Sequence, residues 1–324
     1  MRVVIPVAGA GTRLRPHTHS LPKPLLHVAG RPILAYLLDP VVELEPEEVI
    51  FVTGYRAEQL EAYVRENYSF NATFVPQGEL LGLGYALKVG VEQIEDGDLL
   101  VILGDTIVDC DLKGFVSAGD FVLGLRQVED PHRFGIAVTD NGKVVDLEEK
   151  PEDPKTNLAI IGLYYFKEIE PLQGALERLV KSGKTTRGEI QFTDALQDMI
   201  RGGVEFVPFE VQEWFDCGKK ETMLTTNRHL ITNRNQTKAL EGCVLVPPIY
   251  VSPKARVVRS VLGPNVSISE GSEVTDSVIV NSIIGSNCKI DKVILDDSLV
   301  GHDVTLKGKS QVFNIGDSTE ISSG

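Results

Sequence analysis

The loop that follows the first apolar run carries residues suited to holding phosphate groups. Gly9 and Gly11 have no side chains, so successive backbone N–H groups of Ala8–Pro16 can approach a triphosphate closely. Arg13 can grip phosphate oxygens through its planar guanidinium, and Lys23 can place a point charge on a transferring group. Tight turns also use Gly-x-Gly, and the loop lacks the third glycine of a dinucleotide fingerprint and the Gly-Lys-Ser/Thr of a Walker loop. The residue types therefore indicate a phosphate ligand without naming it.

Apolar runs that alternate with amphipathic stretches must position this loop. Val3–Val7 and Val49–Thr53 are predicted as buried strands, Ala57–Asn67 as a helix and Asp98–Leu103 as a later central strand. This alternation predicts an α/β domain with a Rossmann-like, mostly parallel sheet. Ligands of such sheets lie outside the carboxyl ends of the strands, so the loops after the first and last of these strands are the expected ligand loops.

A different pattern begins after about residue 238, where short β-rich pieces are broken by Gly, Asn, Asp and Ser. Leu262–Ile268, Ile284–Ile290 and Val300–Leu306 share the form aliphatic, Gly, any, Asn or Asp, aliphatic or Cys, polar, aliphatic. Hexapeptide-type repeats of this kind build a β-helix, and Val244–Pro248 resembles a degenerate first coil. A small β-sandwich with many turns is the alternative.

The change of pattern divides the chain into two predicted domains. We assign residues 1–236 to the α/β domain and residues 237–324 to the β-helix, with Thr225–Gln236 as a joining helix. At 324 residues and 42% hydrophobic composition, the chain is long enough for each domain to bury its own core.

Charge and hydropathy exclude several classes of function. A net charge of -14 argues against general nucleic-acid binding, because a phosphate backbone would meet repulsion over most of the surface. No stretch approaches the roughly 18 consecutive apolar residues that span a bilayer, and Met1–Gly11 lacks the features of a signal peptide. We expect a cytoplasmic protein without a membrane segment. The four cysteines lack paired spacing, which favours reduced thiols over disulfides or a zinc site.

The motif Gly-x-Gly-Thr-Arg-Leu-x-Pro at residues 9–16, followed by Pro-Lys-Pro-Leu at residues 22–25, resembles the signature of the sugar nucleotidylyltransferase family. The resemblance covers essentially the whole chain, since members of this type often add a left-handed β-helix to the catalytic domain. It implies an enzyme that joins a nucleoside triphosphate to a sugar-1-phosphate and releases pyrophosphate. Further matches follow in the family's order: Gln77 with Gly82-Leu83-Gly84, Leu103-Gly104-Asp105, Phe134-Gly135, Glu148-Glu149-Lys150-Pro151, Gly162-Leu163-Tyr164, Arg187-Gly188-Glu189 and Trp214-Phe215-Asp216-Cys217-Gly218.

The same resemblance implies the roles of individual residues. Arg13, Lys23 and Asp105 correspond to the catalytic group, and Asp105 with Asp216 to a pair of Mg²⁺ ligands, although either Asp could instead be an ordinary turn residue. The residues implied to bind the nucleotide are Ala8, Gly9, Gly11, Thr12, Arg13, Gln77 and Gly82. Those implied to bind the sugar phosphate are Gly135, Glu149, Lys150, Gly162 and Arg187.

Two of these assignments have plain structural alternatives. Lys150 lies in an acidic run, where a solvated salt bridge to Glu148 or Glu149 would explain it equally. Arg187 lies in the segment Lys184–Gly188, which could be only a surface loop.

Substrate choice rests on a few side chains. Gln77 stands five residues before Gly82, as in the uridylyl- and thymidylyltransferase branches, and its amide can donate to and accept from uracil or thymine. Ala159–Tyr164 resembles glucose-1-phosphate enzymes, so dTTP or UTP with glucose-1-phosphate is favoured. Val28–Pro32 looks more like mannose-1-phosphate guanylyltransferases, which keeps GTP open. A catalytically silent, nucleotide-sugar-sensing scaffold is a further alternative.

We expect the β-helix to assemble subunits rather than to catalyse. Its repeats carry aliphatic residues but no cluster of cations or carboxylates like that of the first domain. The open ends of a short solenoid favour packing against a neighbour, which predicts a homo-oligomer. His132 and His302 have no metal-like or nucleophile-like neighbours in sequence and are predicted to be surface residues.

Overall fold

The structure, a computed structural model, describes residues 1–232 and 240–309. The chain forms two compact units, the first made of Met1–Leu26 and Arg31–Met223. The second begins at Leu224 and also includes the short segment His27–Gly30. The domain boundary predicted between residues 236 and 237 lies outside the described residues, as does the end of the predicted joining helix.

The helices and strands up to residue 232 alternate as the apolar pattern predicts. The helices are α1 (Ile33–Val42), α2 (Ala57–Asn67), α3 (Leu83–Val91), α4 (Leu112–Ser117), α5 (Glu170–Ser182), α6 (Phe192–Arg201) and α7 (Lys220–Thr232). The strands are β1 (Arg2–Pro6), β2 (His27–Val28), β3 (Arg31–Pro32), β4 (Glu48–Thr53), β5 (Ala72–Pro76), β6 (Leu99–Ile102), β7 (Thr106–Asp109), β8 (Phe121–Gln127), β9 (Gly135–Asp140), β10 (Lys143–Glu149), β11 (Leu158–Phe166), β12 (Val207–Glu210) and β13 (Glu213–Asp216).

The main sheet of the first unit has the order β10-β9-β11-β6-β1-β4-β5, and β8 pairs with β11 and β12. Strands β6, β1, β4 and β5 run parallel, whereas β9 and β11 add antiparallel pairs on one side. Successive side chains of β1 face opposite sides of the sheet: Val4 joins one core, and Val3 and Ile5 join the other. Strand β1 is therefore buried on both faces, which explains its continuous apolar run. The predicted Rossmann-like fold is confirmed.

The parallel strands bring the predicted ligand loops to one edge of the sheet. Gly9 and Gly11 follow β1, Gln77 follows β5, and Asp105 follows β6. Because parallel strands end at the same edge, residues that are far apart in sequence meet there. This edge is the carboxyl edge expected from the sequence.

The second unit is built from short strands in three parallel stacks. Its strands are β14 (Val244–Leu245), β15 (Ile249–Val251), β16 (Arg256–Val258), β17 (Val261–Leu262), β18 (Val266–Ile268), β19 (Glu273–Thr275), β20 (Val278–Ile279), β21 (Ile283–Ile284), β22 (Lys289–Asp291), β23 (Ile294–Leu295), β24 (Leu299–Val300) and β25 (Thr305–Lys307). The stacks are β14-β17-β20-β23, β15-β18-β21-β24 and β16-β19-β22-β25. Parallel pairing throughout excludes the sandwich and is consistent with the left-handed β-helix.

The Asn and Asp of the repeat occupy the turns between strands. Asn265, Asn287 and Asp303 all have left-handed backbone, a conformation that Asn and Asp tolerate better than most residues. Asn287 Nδ2 donates to Asp303 Oδ1 of the next coil at 3.2 Å, and Asn265 Nδ2 donates to Asn281 Oδ1 at 2.8 Å. The repeated residues therefore serve both the turn and the stacking of coils. Across the described residues, no helix has the length and apolarity needed to cross a membrane.

Candidate active site

The loop after β1 offers backbone donors to a ligand. Within the described residues, no hydrogen bond uses the N–H groups of Gly9, Ala10 or Gly11. Gly11 has a φ of +59°, and a Cβ there would lie 2.9 Å from the Thr18 side chain and 3.1 Å from that of Lys23. Only glycine therefore fits this position without displacing its neighbours. The loop then continues into a short 3-10 helix, Thr12–Leu14, which carries Arg13.

Lys23 and Asp105 form the ion pair at the centre of the site. Lys23 Nζ lies 2.7 Å from Asp105 Oδ2, and the lysine side chain is only 9% exposed, against 43% for the aspartate. A buried ammonium needs a partner, whereas the more exposed carboxylate can still turn one oxygen toward a ligand. Lys23 and Asp105 are 82 positions apart in sequence, so the fold and not local sequence brings them together.

A cavity of about 560 Å³ lies along the loop and the carboxyl ends of β1 and β6. Every residue predicted to bind the nucleotide lines it, namely Ala8, Gly9, Gly11, Thr12, Arg13, Gln77 and Gly82, and so do Lys23 and Asp105. Gln77 is buried and its Nε2 donates to Glu79 O at 3.2 Å, which orients the amide within the cavity wall. We call this space the loop cavity.

A second cavity, of about 580 Å³, shares the polar residues Arg13, Asp105 and Glu189 with the first, together with Leu83 and Leu103. Gly135, Glu149, Lys150 and Asp216 also line it. We call it the β11 cavity, because Ile160, Ile161 and Tyr164 of that strand form part of its wall. The charged residues common to the two cavities are thus one cation, Arg13, and two carboxylates, Asp105 and Glu189.

Glu149 is held rigidly at the wall of the β11 cavity. Its Oε2 accepts a hydrogen bond from Thr193 Oγ1 at 2.6 Å, and its Oε1 lies 3.1 Å from Lys150 Nζ. The salt bridge considered as the alternative role of Lys150 is therefore present, but it lies at the cavity rather than on a remote surface. Burial, together with the Glu149 charge, raises the pKa of Tyr164 well above its ordinary value, so its hydroxyl stays neutral and can donate.

Arg187 and Gly162 do not line either cavity. Arg187 is exposed, and its Nη2 donates to the backbone oxygen of Lys150 at 2.7 Å. Gly162 accepts a hydrogen bond from Leu103 N at 2.9 Å, and a Cβ there would lie 2.7 Å from the Leu103 side chain. The two residues thus touch cavity-lining residues instead of facing the cavity themselves.

Asp105 and Asp216 come together because β7 and β13 pair antiparallel. Asp216 lies opposite Thr106, the residue after Asp105. Both carboxylates line the β11 cavity. In residues 1–232 and 240–309, no group of three or more His, Cys, Asp and Glu side chains is arranged to hold a metal. Two carboxylates nevertheless fit Mg²⁺, which keeps several waters and commonly takes its remaining oxygens from substrate phosphates.

Arg133 and Thr193 also line the β11 cavity, although neither was predicted from the sequence. Arg133 Nη2 lies 3.1 Å from Asp216 Oδ2, so one oxygen of that carboxylate is paired with a cation in this structure. Thr193, at the start of α6, fixes Glu149 as described above. Arg133 adjoins the Phe134-Gly135 match, which was the available signal, whereas nothing local marked Thr193.

His302 corrects a prediction, while His132 is exposed as expected. The His302 ring is partly buried, with its centroid 5.2 Å from that of His27, and its Nδ1 accepts from Ser286 N at 3.0 Å. The contacts with Ser286 and His27 are tertiary, so the residues next to His302 in sequence did not indicate them.

Comparison with protein families agrees with this geometry. Residues 2–233 match the nucleotidyl transferase family, and residues 229–311 match the GlmU-like C-terminal hexapeptide family. The family predicted from the motifs, including the repeat after the catalytic domain, is confirmed.

Curated relatives extend the match across most of the chain. A glucose-1-phosphate thymidylyltransferase of Streptomyces antibioticus is 32% identical over 308 residues, covering 90% of this chain and 84% of the relative. The low-salt glycan biosynthesis nucleotidyltransferase Agl11 of Haloferax volcanii is 36% identical over 248 residues, covering 74% and 68%. The bifunctional protein GlmU of Methanococcus aeolicus is 31% identical over 336 residues, covering 90% and 79%.

Among solved structures, a UDP-glucose pyrophosphorylase complexed with UDP-glucose superposes with a TM-score of 0.64 at 24% identity. The match covers 72% of this chain and 99% of the other, and at this identity it supports the fold alone. The family match and the curated relatives carry the assignment. This chain belongs to the nucleotidyl transferase family, as a sugar-1-phosphate nucleotidyltransferase with a GlmU-like hexapeptide repeat.

Proposed function

We propose that this enzyme joins dTTP or UTP to glucose-1-phosphate. A phosphate oxygen of the sugar phosphate attacks the α-phosphorus in line, the bond between the α-phosphorus and its bridging oxygen to the β-phosphate breaks, and pyrophosphate leaves. The product is an NDP-sugar. A phosphate monoester dianion is already a competent nucleophile, so positioning and charge stabilisation are the protein's main tasks.

The observation that carries this proposal is the junction of the two cavities. The nucleotide would occupy the loop cavity and the sugar phosphate the β11 cavity, so their reacting groups would meet beside Arg13 and Asp105, which line both. Two anionic substrates repel each other, and a shared cation at the junction lowers that repulsion.

Each predicted residue then has a task in the proposed reaction. The N–H groups of Gly9 and Gly11, with Arg13, would hold the β- and γ-phosphates, and Lys23 would stabilise charge around the phosphorus undergoing transfer. Lys150 would hold the sugar phosphate, and Glu149, fixed by Thr193, would accept a hydrogen bond from a sugar hydroxyl. Arg187 would act through the Lys150 carbonyl and restrain the backbone at that position.

The family generally uses a divalent metal, and we assign Mg²⁺ to Asp105 and Asp216. When bound there, the ion would neutralise negative charge on the α-phosphate. Lys23 and Arg133 each pair with one oxygen of these carboxylates, which orients the two Asp side chains at the wall of the β11 cavity.

The preference for a pyrimidine rests on Gln77, whose amide lies in the wall of the loop cavity and can both donate and accept. Relatives named glucose-1-phosphate thymidylyltransferase support glucose-1-phosphate as the sugar. A nucleoside triphosphate substrate also supports a cytoplasmic location.

A pyrophosphate-release assay tests the proposal directly. Purified protein is given dTTP, UTP, GTP, CTP or ATP with glucose-1-phosphate, mannose-1-phosphate or N-acetylglucosamine-1-phosphate, with and without Mg²⁺. We expect the highest kcat/KM for dTTP or UTP with glucose-1-phosphate, and dependence on the metal. A preference for GTP with mannose-1-phosphate would contradict the substrate assignment, and binding without turnover of any pair would support a sensing scaffold instead.

The division of labour between the two predicted domains, 1–236 and 237–324, is also part of the proposal. The match to the hexapeptide family supports assembly into a homo-oligomer. Val244 and Ile294, at the two ends of the β14-β17-β20-β23 stack, are 59% and 81% exposed, which leaves apolar surface for a neighbouring copy. Light scattering of the whole chain, and of a chain ending at Gln236, tests this: only the whole chain should form an oligomer.

A further inference from the structure

The short segment His27–Gly30 belongs to the second unit, although the residues on both sides of it in sequence belong to the first. The chain leaves the first unit after Leu26 and returns to it at Arg31. A hydrogen bond from Ile33 N to Leu26 O, at 3.0 Å, closes the base of this excursion. Contacts within the second unit therefore determine where a segment only four residues after Lys23 is held.

Asn227 of α7 provides the most buried of these contacts. Its Oδ1 accepts a hydrogen bond from Ala29 N at 2.9 Å, and its Nδ2 donates to Asn265 O of the β-helix at 3.3 Å. Both Asn227 and Ala29 have no exposed surface. The backbone of Ala29 is left-handed, with a φ of 48°, a conformation that costs about 1 kcal/mol or more for alanine and persists only where its surroundings enforce it.

Tyr250 and the His27 side chain add two more contacts. A Cβ at Gly30 would lie 2.0 Å from Tyr250 Cε1, so the segment backbone packs directly on the ring. His27 Nδ1 lies 3.1 Å from Ser269 Oγ, and its ring packs against His302. His27, Ala29 and Gly30 thus each contact α7 or the β-helix.

The amino-terminal end of the segment, His27, lies four residues after Lys23. Leu26 N donates to Lys23 O at 3.0 Å and closes the short 3-10 helix Lys23–Leu25. The Lys23 side chain is buried, and its ammonium group pairs with Asp105. A displacement of the segment would therefore be transmitted along four residues of ordered backbone to the ammonium group.

We propose that Asn227 and Tyr250 are positioning residues for Lys23, through which the second unit sets the rate of nucleotidyl transfer. The proposal rests on the role given to Lys23 in the proposed function. Because a displacement on the order of 1 Å at a reacting centre can cost up to a hundredfold in rate, a remote contact of this kind can control turnover without touching a substrate.

The test compares Asn227→Ala with Val274→Ala, a cavity variant in the buried core cluster of the β-helix, which includes no residue of His27–Gly30. We expect Asn227→Ala to lower kcat about tenfold while both KM values stay within about twofold, because Lys23 is assigned to the phosphorus undergoing transfer and other residues hold the substrates. Val274→Ala should lower Tm by at least as much and keep kcat within about twofold. An unchanged kcat in Asn227→Ala, or an equal loss in Val274→Ala, would overturn the proposal.

Tyr250→Ala is the second kinetic variant, since it removes a half-buried ring and leaves Asn227 in place. We expect it to lower kcat in the same direction with unchanged KM values, and an unchanged kcat would remove Tyr250 from the proposal.

Amide hydrogen exchange gives a readout that needs no substrate. Exchange at Leu26 and Ile33 should accelerate in Asn227→Ala and not in Val274→Ala. Equal exchange in the two variants would overturn the proposal even if kcat fell. If the wild-type protein turned over no substrate pair, the proposed function would fail, while the exchange comparison would still decide whether the second unit holds this segment.

Discussion

Non-glycine residues with left-handed backbone occur both beside the β11 cavity and in the β-helix, but for different reasons. In the β-helix they recur from coil to coil, as in Asn287 and Asp303 or Asp276 and Lys292. Beside the cavity, Lys150 and Arg187 are isolated cases, linked by the hydrogen bond from Arg187 Nη2 to Lys150 O. The same left-handed backbone conformation thus comes from a repeated turn in the β-helix and from individual tertiary contacts beside the cavity.

The two groups of left-handed residues differ in what their side chains contact. In the β-helix a left-handed residue repeats the turn of the previous coil, and side chains such as those of Asn287 and Asp303 hydrogen-bond between coils. At Lys150 and Arg187, long cationic side chains occupy a conformation that is unfavourable for them, and the hydrogen bond between the two residues lies beside the β11 cavity. Substitutions should therefore separate the two regions, with activity responding in one and stability in the other.

Asp105→Asn should have the largest effect on activity. It removes one charged oxygen ligand and the ion pair with Lys23 at nearly constant volume, so we expect kcat to fall on the order of a hundredfold or more. Asp303→Asn is the control in the β-helix, where the new amide oxygen can still accept from Asn287. Pyrophosphate release and circular dichroism measure both. Near-native turnover of Asp105→Asn at saturating Mg²⁺ would contradict the assignment.

Acid should destabilise the second unit through His27. Burial, and then the nearby His302, lower the pKa of His27 to about 4, although Glu270 opposes the shift. Because the folded pKa lies below the unfolded value of 6.5, the unfolded state binds more protons between these values, and stability falls as pH drops through this window. Between pH 7 and pH 5 the loss from His27 should be about 2 kcal/mol.

Urea unfolding at the two pH values, compared between the wild type and His27→Gln, isolates this contribution. The variant should lose less stability on acidification, because the residue that must stay neutral in the folded state is gone. Equal losses in the two proteins would show that other groups are responsible.

Lys150→Asn tests whether the ammonium group of Lys150, and not its left-handed backbone, is needed for activity. Asn tolerates the left-handed conformation, so the change removes the ammonium with little backbone strain. We expect kcat/KM for the sugar phosphate to fall about tenfold, the value of a hydrogen bond to a charged group. Lys292→Asn makes the same change at a left-handed position of the β-helix and should leave activity unaltered. Equal effects at the two sites would contradict a difference in role between the β11 cavity and the β-helix.

Gln77→Ala should have the smallest effect, because the base lies far from the reacting phosphorus. We expect the preference for dTTP or UTP over GTP to fall about fivefold, with a smaller loss in kcat for the best substrate. Competition between triphosphates in one reaction measures the ratio. A wild-type enzyme that prefers GTP would refute the role of Gln77 whatever the variant does.

Repetition and local chemistry made much of this protein predictable from sequence. The helix predicted over Ala57–Asn67 has the same bounds in the structure, and the predicted strand Val3–Val7 lies within one residue of β1. The Asn and Asp of the repeat predicted stacked coils because each copy repeats the same turn. Motif spacing placed Asp105 after a central strand, where ligands of parallel sheets bind.

Other features depended on contacts between distant parts of the chain. The pairing of β7 with β13 brings Asp216 to Asp105, and α6 brings Thr193 to Glu149. The contact of Arg187 with the Lys150 backbone has no local signal, because the direction of a side chain in a loop follows from its packing.

The sequence by itself determined the two architectures and the family, since both follow from local periodicity and short motifs. Only the tertiary structure decided that His27–Gly30 belongs with the β-helix, although these residues lie between strands and helices of the catalytic unit. The physical reason is that Asn227, Tyr250 and Ser269 lie far along the chain, and their contacts with this segment exist only once α7 and the coils have folded.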